Sequence, residues 1–491
     1  MVLVRLPTLW EPRWYSDEGT FTTVAWVHSL GHPLYSGVFD INPPGIYWLY
    51  GTLLRLGGQQ RHVVIQAALL IAVLVSVLCI CGIGSAWFGS PVGVAAAVLG
   101  AVGLSLPTLD GDLLNIEIAA LPFFLTALLL AKRSTGGTAF AVGIFGACSL
   151  LIRPSYALDS IAILALIWMS PGRSRRLLLA LAGGALVLAA AVVALAIDDS
   201  LRAYLGEAMP LQRAYVLWAN GGSLFALAIR LAIALSVAAI WFWNVRHKPW
   251  APLAIWLPAS IAAASITPRE LSHYSVEVIA PVALAIALAI SSGLVHLPPN
   301  YRWARRLAVI VAPPLALVAV VTCAEAALII PPREVAFLSG ISAPPPFLHN
   351  FSYPDLPAYY ARWATWVVHH PLRSQPLDGF PGPFREEQSE AELLDRLAAG
   401  ATPDLQVLGD RAWVYFLSRL PPASPYVAMN SAFRLDPSAA RIVADSLSQH
   451  RAGLVCVADV PAGDWLPLLE AANYEQFGST PWPTFASSAK R

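Results

Sequence analysis

From about residue 62 to residue 330 the sequence runs as one apolar stretch of helix length after another, and the turns between them alternate in charge. One set of turns is basic: Lys132-Arg133, Arg173/Arg175/Arg176, Arg246/Lys248 and Arg302/Arg305/Arg306. The other is acidic or mixed: Asp17-Glu18, Asp110/Asp112/Glu117, Arg153, Asp198-Asp199 and Arg269-Glu270-His273. Of 491 residues, 57% are hydrophobic and 12% charged. A soluble domain carries about a quarter charged residues, so half that share with repeated apolar runs means an integral membrane protein. Excess Lys and Arg marks the cytoplasmic side, which puts the acidic and mixed set outside. Carboxylates and a few cations gathered at one interface have the character of a reaction centre.

Other classes are excluded quickly. A net charge of +1 gives no case for nucleic-acid binding, which needs a concentrated basic surface. The 17 Trp and 15 Tyr suit interfacial belts. Cys79, Cys81, Cys148 and Cys323 fall in apolar helices and Cys456 in an expected strand, so no disulfide framework follows and the cysteines read as unbridged packing residues. Met1–Leu9 contains Arg5 and Pro7 and does not read as a cleavable signal. With Asp17 placed outside, either the chain begins outside or a transmembrane helix precedes it; the second is the expectation.

Residues 1–61 are expected to form an external loop with amphipathic juxtamembrane helices, one of them running from Ser16-Asp17-Glu18 to about Ser29. Residues 62–330 form the transmembrane domain of about ten spans: 62–86, 91–107, 117–131, 138–152, 155–170, 176–197, 222–244, 250–267, 273–295 and 307–330. The pair at 138–170 is too short for two upright spans of about 20 residues and reads as a hairpin with Arg153-Pro154 at its outer tip. Residues 331–384 read as an irregular Pro-rich linker. Residues 385–491 alternate helices with short strands at Leu405–Leu408, Tyr426–Met429 and Gly453–Ala458, which predicts a small parallel α/β domain outside the cytoplasm. The fold class is thus a polytopic α-helical membrane protein with a C-terminal extracytoplasmic α/β domain.

Asp17-Glu18 has a bland account: acidic residues in a first helical turn gain about 0.3–1 kcal/mol from the helix dipole. The segments that follow change the weighting. Asp17-Glu18-Gly-Thr, Gly31-His-Pro-Leu-Tyr35 and Asp40-Ile-Asn42-Pro43-Pro44-Gly-Ile-Tyr47 resemble the first external loop of the GT-C glycosyltransferases, in particular the bacterial branch similar to protein O-mannosyltransferases and the aminoarabinose transferase of lipid A. Asn115-Ile-Glu117, Arg153-Pro154, His273-Tyr274 and Val407-Leu-Gly-Asp410 through Tyr426 continue the resemblance in order along nearly the whole chain.

The resemblance implies transfer of a monosaccharide from a polyprenyl-phosphate donor to a glycan, lipid or protein acceptor outside the plasma (inner) membrane, with inversion. Asp17 matches the family's base. Phosphate is already a good leaving group, so one carboxylate taking the acceptor proton suffices, unlike hydrolases that need two. Charge building on the departing phosphate calls for interfacial cations. Arg269 and His273 fit that role, with Glu277 at i, i+8 from Arg269 to fix the His273 tautomer; an ion pair capping the helix is the plainer reading. Arg153 could act likewise or snorkel to the interface. Glu117, with Asp112 and Asp110, matches an acidic site in the second loop that helps position acceptor or cation, though solvated loop carboxylates remain an alternative for the two Asp. Tyr35, Asp40 and Tyr274 are supporting polar candidates. Asn42 stands where many relatives carry a Lys before the Pro-Pro turn, which removes one cation. Arg230 lies deep in its span and is expected to pair with Glu325. No His/Cys/Asp cluster has metal-ligand spacing, so a divalent cation is possible but has no residue set behind it. A flippase of lipid-linked substrate and a non-catalytic lipid-binding or scaffold relative are the competing functions.

Overall fold

The computed structural model describes residues 5–7, 11, 13, 15–57, 61–132, 136–222, 224–248, 250–266, 272–295, 356–369, 386–398, 403–429, 431–458, 462–478 and 482–487. The expected span at 307–330, Arg269, Cys323, Glu325 and the side chain of Arg230 lie outside the described residues. The chain divides into two compact units. One gathers Met1–Leu9, Gln66–Ala190 and Leu217–Ala361; the other gathers Trp10–Ile65, Ala191–Val216 and Arg362–Arg491.

The apolar runs fold as helices close to their expected bounds. They are α1 Ser16–Ser29, α2 Pro44–Gly57, α3 Arg61–Phe88, α4 Ser90–Gly103, α5 Ile116–Ala131, α6 Gly136–Ile152, α7 Tyr156–Trp168, α8 Arg173–Ile197, α9 Met209–Ala219, α10 Leu224–Val245, α11 Ala251–Ala264 and α12 Val276–Val295. Among the described residues, four stretches are long and apolar enough to cross a membrane: Val63–Phe88, Arg173–Ile197, Leu227–Val245 and His273–Ser291. Helices α4, α5, α6, α7 and α11 are shorter. At 1.5 Å per residue, α7 with 13 residues reaches only about 20 Å, consistent with the tight hairpin expected around Arg153-Pro154.

In lipid there is little hydrophobic drive between helices, so close backbone contact has to hold them. Helices α6 and α8 meet in this way. A Cβ added at Gly143 would lie 1.8 Å from the Ala180 carbonyl oxygen, and one at Gly183 would lie 2.1 Å from that of Phe140. Only glycine fits these two positions. Helix α5 then acts as a ruler between two charge sets. At its last turn Arg176 Nη2 donates to the Ala131 carbonyl at 2.6 Å. At its first turn Glu117 meets Arg153 and His273. Arg176 and Lys132 therefore lie at one end of α5 and Glu117, Arg153 and His273 at the other, separated by about 24 Å of helix.

In the second unit α1 departs from expectation. It is not amphipathic: Glu18 through Val27 are all buried. Phe21 packs edge-on against Tyr47 and Tyr50 of α2, with centroids 6.4 and 5.8 Å apart, and another face meets the C-terminal domain. A helix covered on several sides needs no polar stripe.

The C-terminal region also corrects the sequence expectation. Leu356–His369 is a helix, α13, inside the segment read as irregular linker; Pro357 stands at its second position, where proline is tolerated because its missing N–H would be unpaired anyway. Beyond it come α14 Glu386–Ala398, β1 Leu405–Leu408, α15 Trp413–Ser418, α16 Ser431–Leu435, α17 Ala439–Ser448, β2 Leu454–Val457, α18 Ala462–Ala471, β3 Tyr474–Gly478 and β4 Thr484–Ser487. The sheet order is β1-β2-β4-β3, and only β1 and β2 run parallel. Both β2–β4 and β4–β3 are antiparallel, so the sheet is mixed and not parallel. Tyr426–Met429 is no strand of this sheet: Phe39 N donates to the Pro425 carbonyl at 2.8 Å and Met429 N to that of Gly409 at 3.0 Å. Cys79, Cys81, Cys148 and Cys456 are unbridged.

Glu390 is buried under this sheet, where Thr484 Oγ1 donates to its Oε1 at 2.6 Å. Burial pushes its carboxyl above the usual range, against opposing hydrogen bonds from Thr484, Cys456 and the Trp482 backbone. The unfolded chain thus gives up this proton first, so folding loses free energy as pH rises through the ordinary Glu value near about 4.3. Glu390→Gln is expected to raise the unfolding midpoint at pH 7 and to leave it nearly unchanged at pH 4, as read by thermal unfolding in detergent.

Candidate active site

Asp17 and Glu18 occupy the first turn of α1, after Tyr15 at the N-cap position. Tyr15 caps with no side-chain bond of its own; its hydroxyl reaches Asp17 Oδ2 at 3.5 Å. Glu18 is buried, whereas Asp17 is half-buried. Burial, then the charges of Glu18 and Asp17, pushes the Tyr50 hydroxyl well up, so it stays protonated.

The loop between α1 and α2 folds into a second polar knot in the same unit. Asp40 Oδ2 accepts from Tyr47 Oη at 2.5 Å and from Asn42 Nδ2 at 2.8 Å. Tyr35 Oη donates to the Asn42 carbonyl at 2.9 Å. Tyr35 holds a left-handed backbone with φ of 67°, unusual for an aromatic residue. Its ring lies against Tyr204, centroids 5.0 Å apart, on a five-residue π-helical turn, Tyr204–Ala208. Asn42 therefore has a task of its own: its amide holds the loop's carboxylate.

The first unit gathers most of the remaining candidates. Asn115 caps α5 by accepting from Ile118 N at 2.9 Å, which sets Glu117 one residue inside the helix. Arg153, between α6 and α7, donates from Nη1 to Glu117 Oε1 at 2.5 Å and from Nε to Glu277 Oε1. Ser155 Oγ donates to the same Glu277 oxygen. The Arg153 guanidinium sits 5.1 Å over the Tyr274 ring, a favourable placement for a cation. His273 Nδ1 lies 3.0 Å from Asp110 Oδ2, and its Nε2 lies 3.9 Å from Glu117 Oε1. Asp110 adopts a left-handed backbone (φ 50°), and Gly111 follows because a Cβ there would lie 2.8 Å from the Leu104 carbonyl oxygen. Asp112 is buried near Arg5, which donates to Ser105 Oγ and the Leu104 carbonyl.

One expectation changes here. The i, i+4 relation of His273 to Glu277 assumed one α-helix, but Ser272–Ser275 is a 3-10 turn and α12 begins at Val276. Asp110, not Glu277, therefore meets the imidazole; Glu277 is engaged with Arg153 and Ser155. Nη1 and Nε of Arg153 meet the carboxylates of Glu117 and Glu277. Sequence reasoning also missed Arg5, Ser155 and Asp159. Asp159 is fully buried on α7 and accepts from Trp256 Nε1 at 3.0 Å and from Ser260 Oγ, both on α11. An acid inside an apolar helix is costly unless it is satisfied by protein, and that signal could have singled it out. Among the described residues no group of three or more His, Cys, Asp or Glu could hold a metal ion.

The sequence matches no family profile and no curated protein. Solved structures do resemble it. ArnT from Cupriavidus metallidurans bound to undecaprenyl phosphate aligns at TM-score 0.56 and 14% identity, over 99% of this chain and 96% of that one. Its apo form aligns at 0.56 and 15%, over 100% and 96%. AglB, an archaeal oligosaccharyltransferase from Archaeoglobus fulgidus, aligns less well at 0.45 and 14%, over 99% and 74%. Along its whole length the chain has a fold like that of ArnT, a series of apolar helices followed here by a small C-terminal sheet.

Proposed function

We propose that the chain is a membrane glycosyltransferase that moves a monosaccharide from a polyprenyl-phosphate donor to an acceptor outside the cytoplasm, with inversion. The observation that carries this reading is the full-length likeness of fold to ArnT, whose structure holds undecaprenyl phosphate. Asp17 is the base. It takes the proton of the acceptor hydroxyl as that oxygen bonds to the anomeric carbon. The bond from that carbon to the phosphate oxygen breaks on the opposite face, and polyprenyl phosphate leaves with the electron pair. Glu18 shapes the base's surroundings.

Arg269 and His273 meet the negative charge on the leaving phosphate. Arg153 acts at one remove: its ion pairs to Glu117 and Glu277 hold those carboxylates in place. Glu117 Oε2 has no hydrogen-bond donor among the described residues, which suits it to accept from an acceptor or sugar hydroxyl. Burial and the neighbouring Tyr204 and Asp40 keep the Tyr35 hydroxyl protonated, so it serves the first loop as a neutral donor.

The test is incubation of the purified protein in detergent or liposomes with a panel of radiolabelled polyprenyl-phosphate sugars, counting label in lipid, glycan and protein fractions. Release of polyprenyl phosphate with label appearing on an acceptor is expected for at least one sugar. Movement of intact lipid-linked sugar across liposomes without any transfer would replace the enzyme with a flippase.

A further inference from the structure

At the start of α1 the C-terminal domain places the side chain of Trp413 against the helix backbone. Trp413, the first residue of α15, is 1% exposed. Its indole Nε1 donates to the Tyr15 carbonyl at 3.0 Å. That same carbonyl accepts the Gly19 N–H, also at 3.0 Å, as the first backbone bond of α1. The indole face presses on Gly19 so closely that a Cβ there would lie 2.6 Å from Trp413 Cδ1. One turn on, Thr23 Oγ1 donates to the Ala412 carbonyl at 2.7 Å, and Trp26 meets Phe416 edge-on at 6.0 Å. Arg13, just before α1, stacks its guanidinium 5.2 Å from the Trp413 ring.

Residues 15, 19, 23 and 26 recur every three to four positions and so form one stripe of α1. Asp17 lies two residues, about 200°, from Tyr15 and from Gly19, on the side away from that stripe. The C-terminal domain thus grips the back of the turn whose front carries Asp17. Glycine at 19 brings the indole against the helix backbone, and both lone pairs of the Tyr15 carbonyl are used.

We infer that Trp413 is a positioning residue for Asp17, and that the C-terminal domain sets the geometry of proton abstraction in the transfer reaction. The inference rests on Asp17 being the base, and the experiment separates the two. A base must sit within hydrogen-bond reach of the proton it takes, and small misplacements of a reacting group slow a reaction strongly. Trp413→Phe keeps an aromatic ring at the site but removes the indole N–H and part of the indole's packing volume. Thr23→Val removes the neighbouring bond at nearly constant volume, and serves if the first variant does not fold.

Initial rates are measured across pH with the active radiolabelled donor, in the native and Asp17→Asn backgrounds. In the native background Trp413→Phe lowers kcat about tenfold and Thr23→Val about threefold. KM for the donor stays within a factor of two, and the acidic limb of the kcat profile moves. In the Asp17→Asn background neither substitution lowers the residual rate further. An unchanged kcat, a rise confined to KM, or an equal loss in both backgrounds overturns the inference while leaving Asp17 as base. Full activity of Asp17→Asn alone overturns both.

Discussion

Asp17→Asn is expected to lower sugar transfer by about 10²–10⁴-fold, the range a positioned general base contributes, with little change in folding. The amide keeps the size of the carboxylate and can still accept from Tyr15, but it cannot take a proton at neutral pH. Asp17 is half-buried at the beginning of α1, so the substitution forfeits about 0.3–2 kcal/mol of dipole stabilisation. These two numbers separate the functional from the bland account. A carboxylate present only to complement the helix terminus would show that small stability loss and a normal rate. Glu18→Gln on the neighbouring buried residue is the control, and a smaller effect on rate than at Asp17 is expected. The measurement is initial-rate transfer beside thermal unfolding of each variant; a normal rate for Asp17→Asn rejects the assignment.

The largest effect on stability is expected at Arg153. Its side chain is about nine-tenths buried, and its partners Glu117 and Glu277 are wholly so. Removing one member of such a set leaves uncompensated charge in a low-dielectric site, which typically costs 3–5 kcal/mol. Arg153→Met therefore destabilises the protein by about that amount, read by denaturation in detergent. Adding Glu277→Gln to it recovers part of the loss, because one stranded carboxylate is gone. Arg153→Lys does not substitute well, since a single ammonium cannot reproduce a planar fork aimed at two carboxylates. Should Arg153→Met unfold like the native protein, the cluster is solvated and its ion pairs carry little.

Helices were legible because an apolar run of helix length in this composition has few other outcomes. The sheet was less so. Tyr426–Met429 has the aromatic and β-branched make-up of a strand, yet it spends its backbone groups locally and on Phe39. Tyr474–Gly478 and Thr484–Ser487 were passed over: the first begins just after Asn473, which has positive φ, and the second follows Pro481 and Pro483. Pairing between distant strands is set by tertiary packing that no local propensity encodes.

That Asp110, Glu117, Arg153 and His273 are candidates was readable, since charged residues at the ends of apolar helices are costly and few. Who pairs with whom was not. His273 was assigned to Glu277 by helical spacing, and a single 3-10 turn is enough to redirect it to Asp110. Asp159 carried a readable signal, one acid in an apolar helix, but its partners Trp256 and Ser260 lie about a hundred residues away in sequence. Asn42 was read as a missing cation; the structure shows what the amide does instead.

The grip of Trp413 on Tyr15 joins positions 398 residues apart, and this has a consequence for biosynthesis. At about 5–20 residues per second, a ribosome needs roughly 20–80 s between making the first and the second. Throughout that interval the stripe of the nascent amino-terminal helix that carries Gly19, Thr23 and Trp26 lacks the cover it has in the finished protein. Translocation and membrane insertion must carry it exposed until the last quarter of the chain emerges, so a prematurely terminated transcript would yield inserted helices with this stripe of the first helix bare.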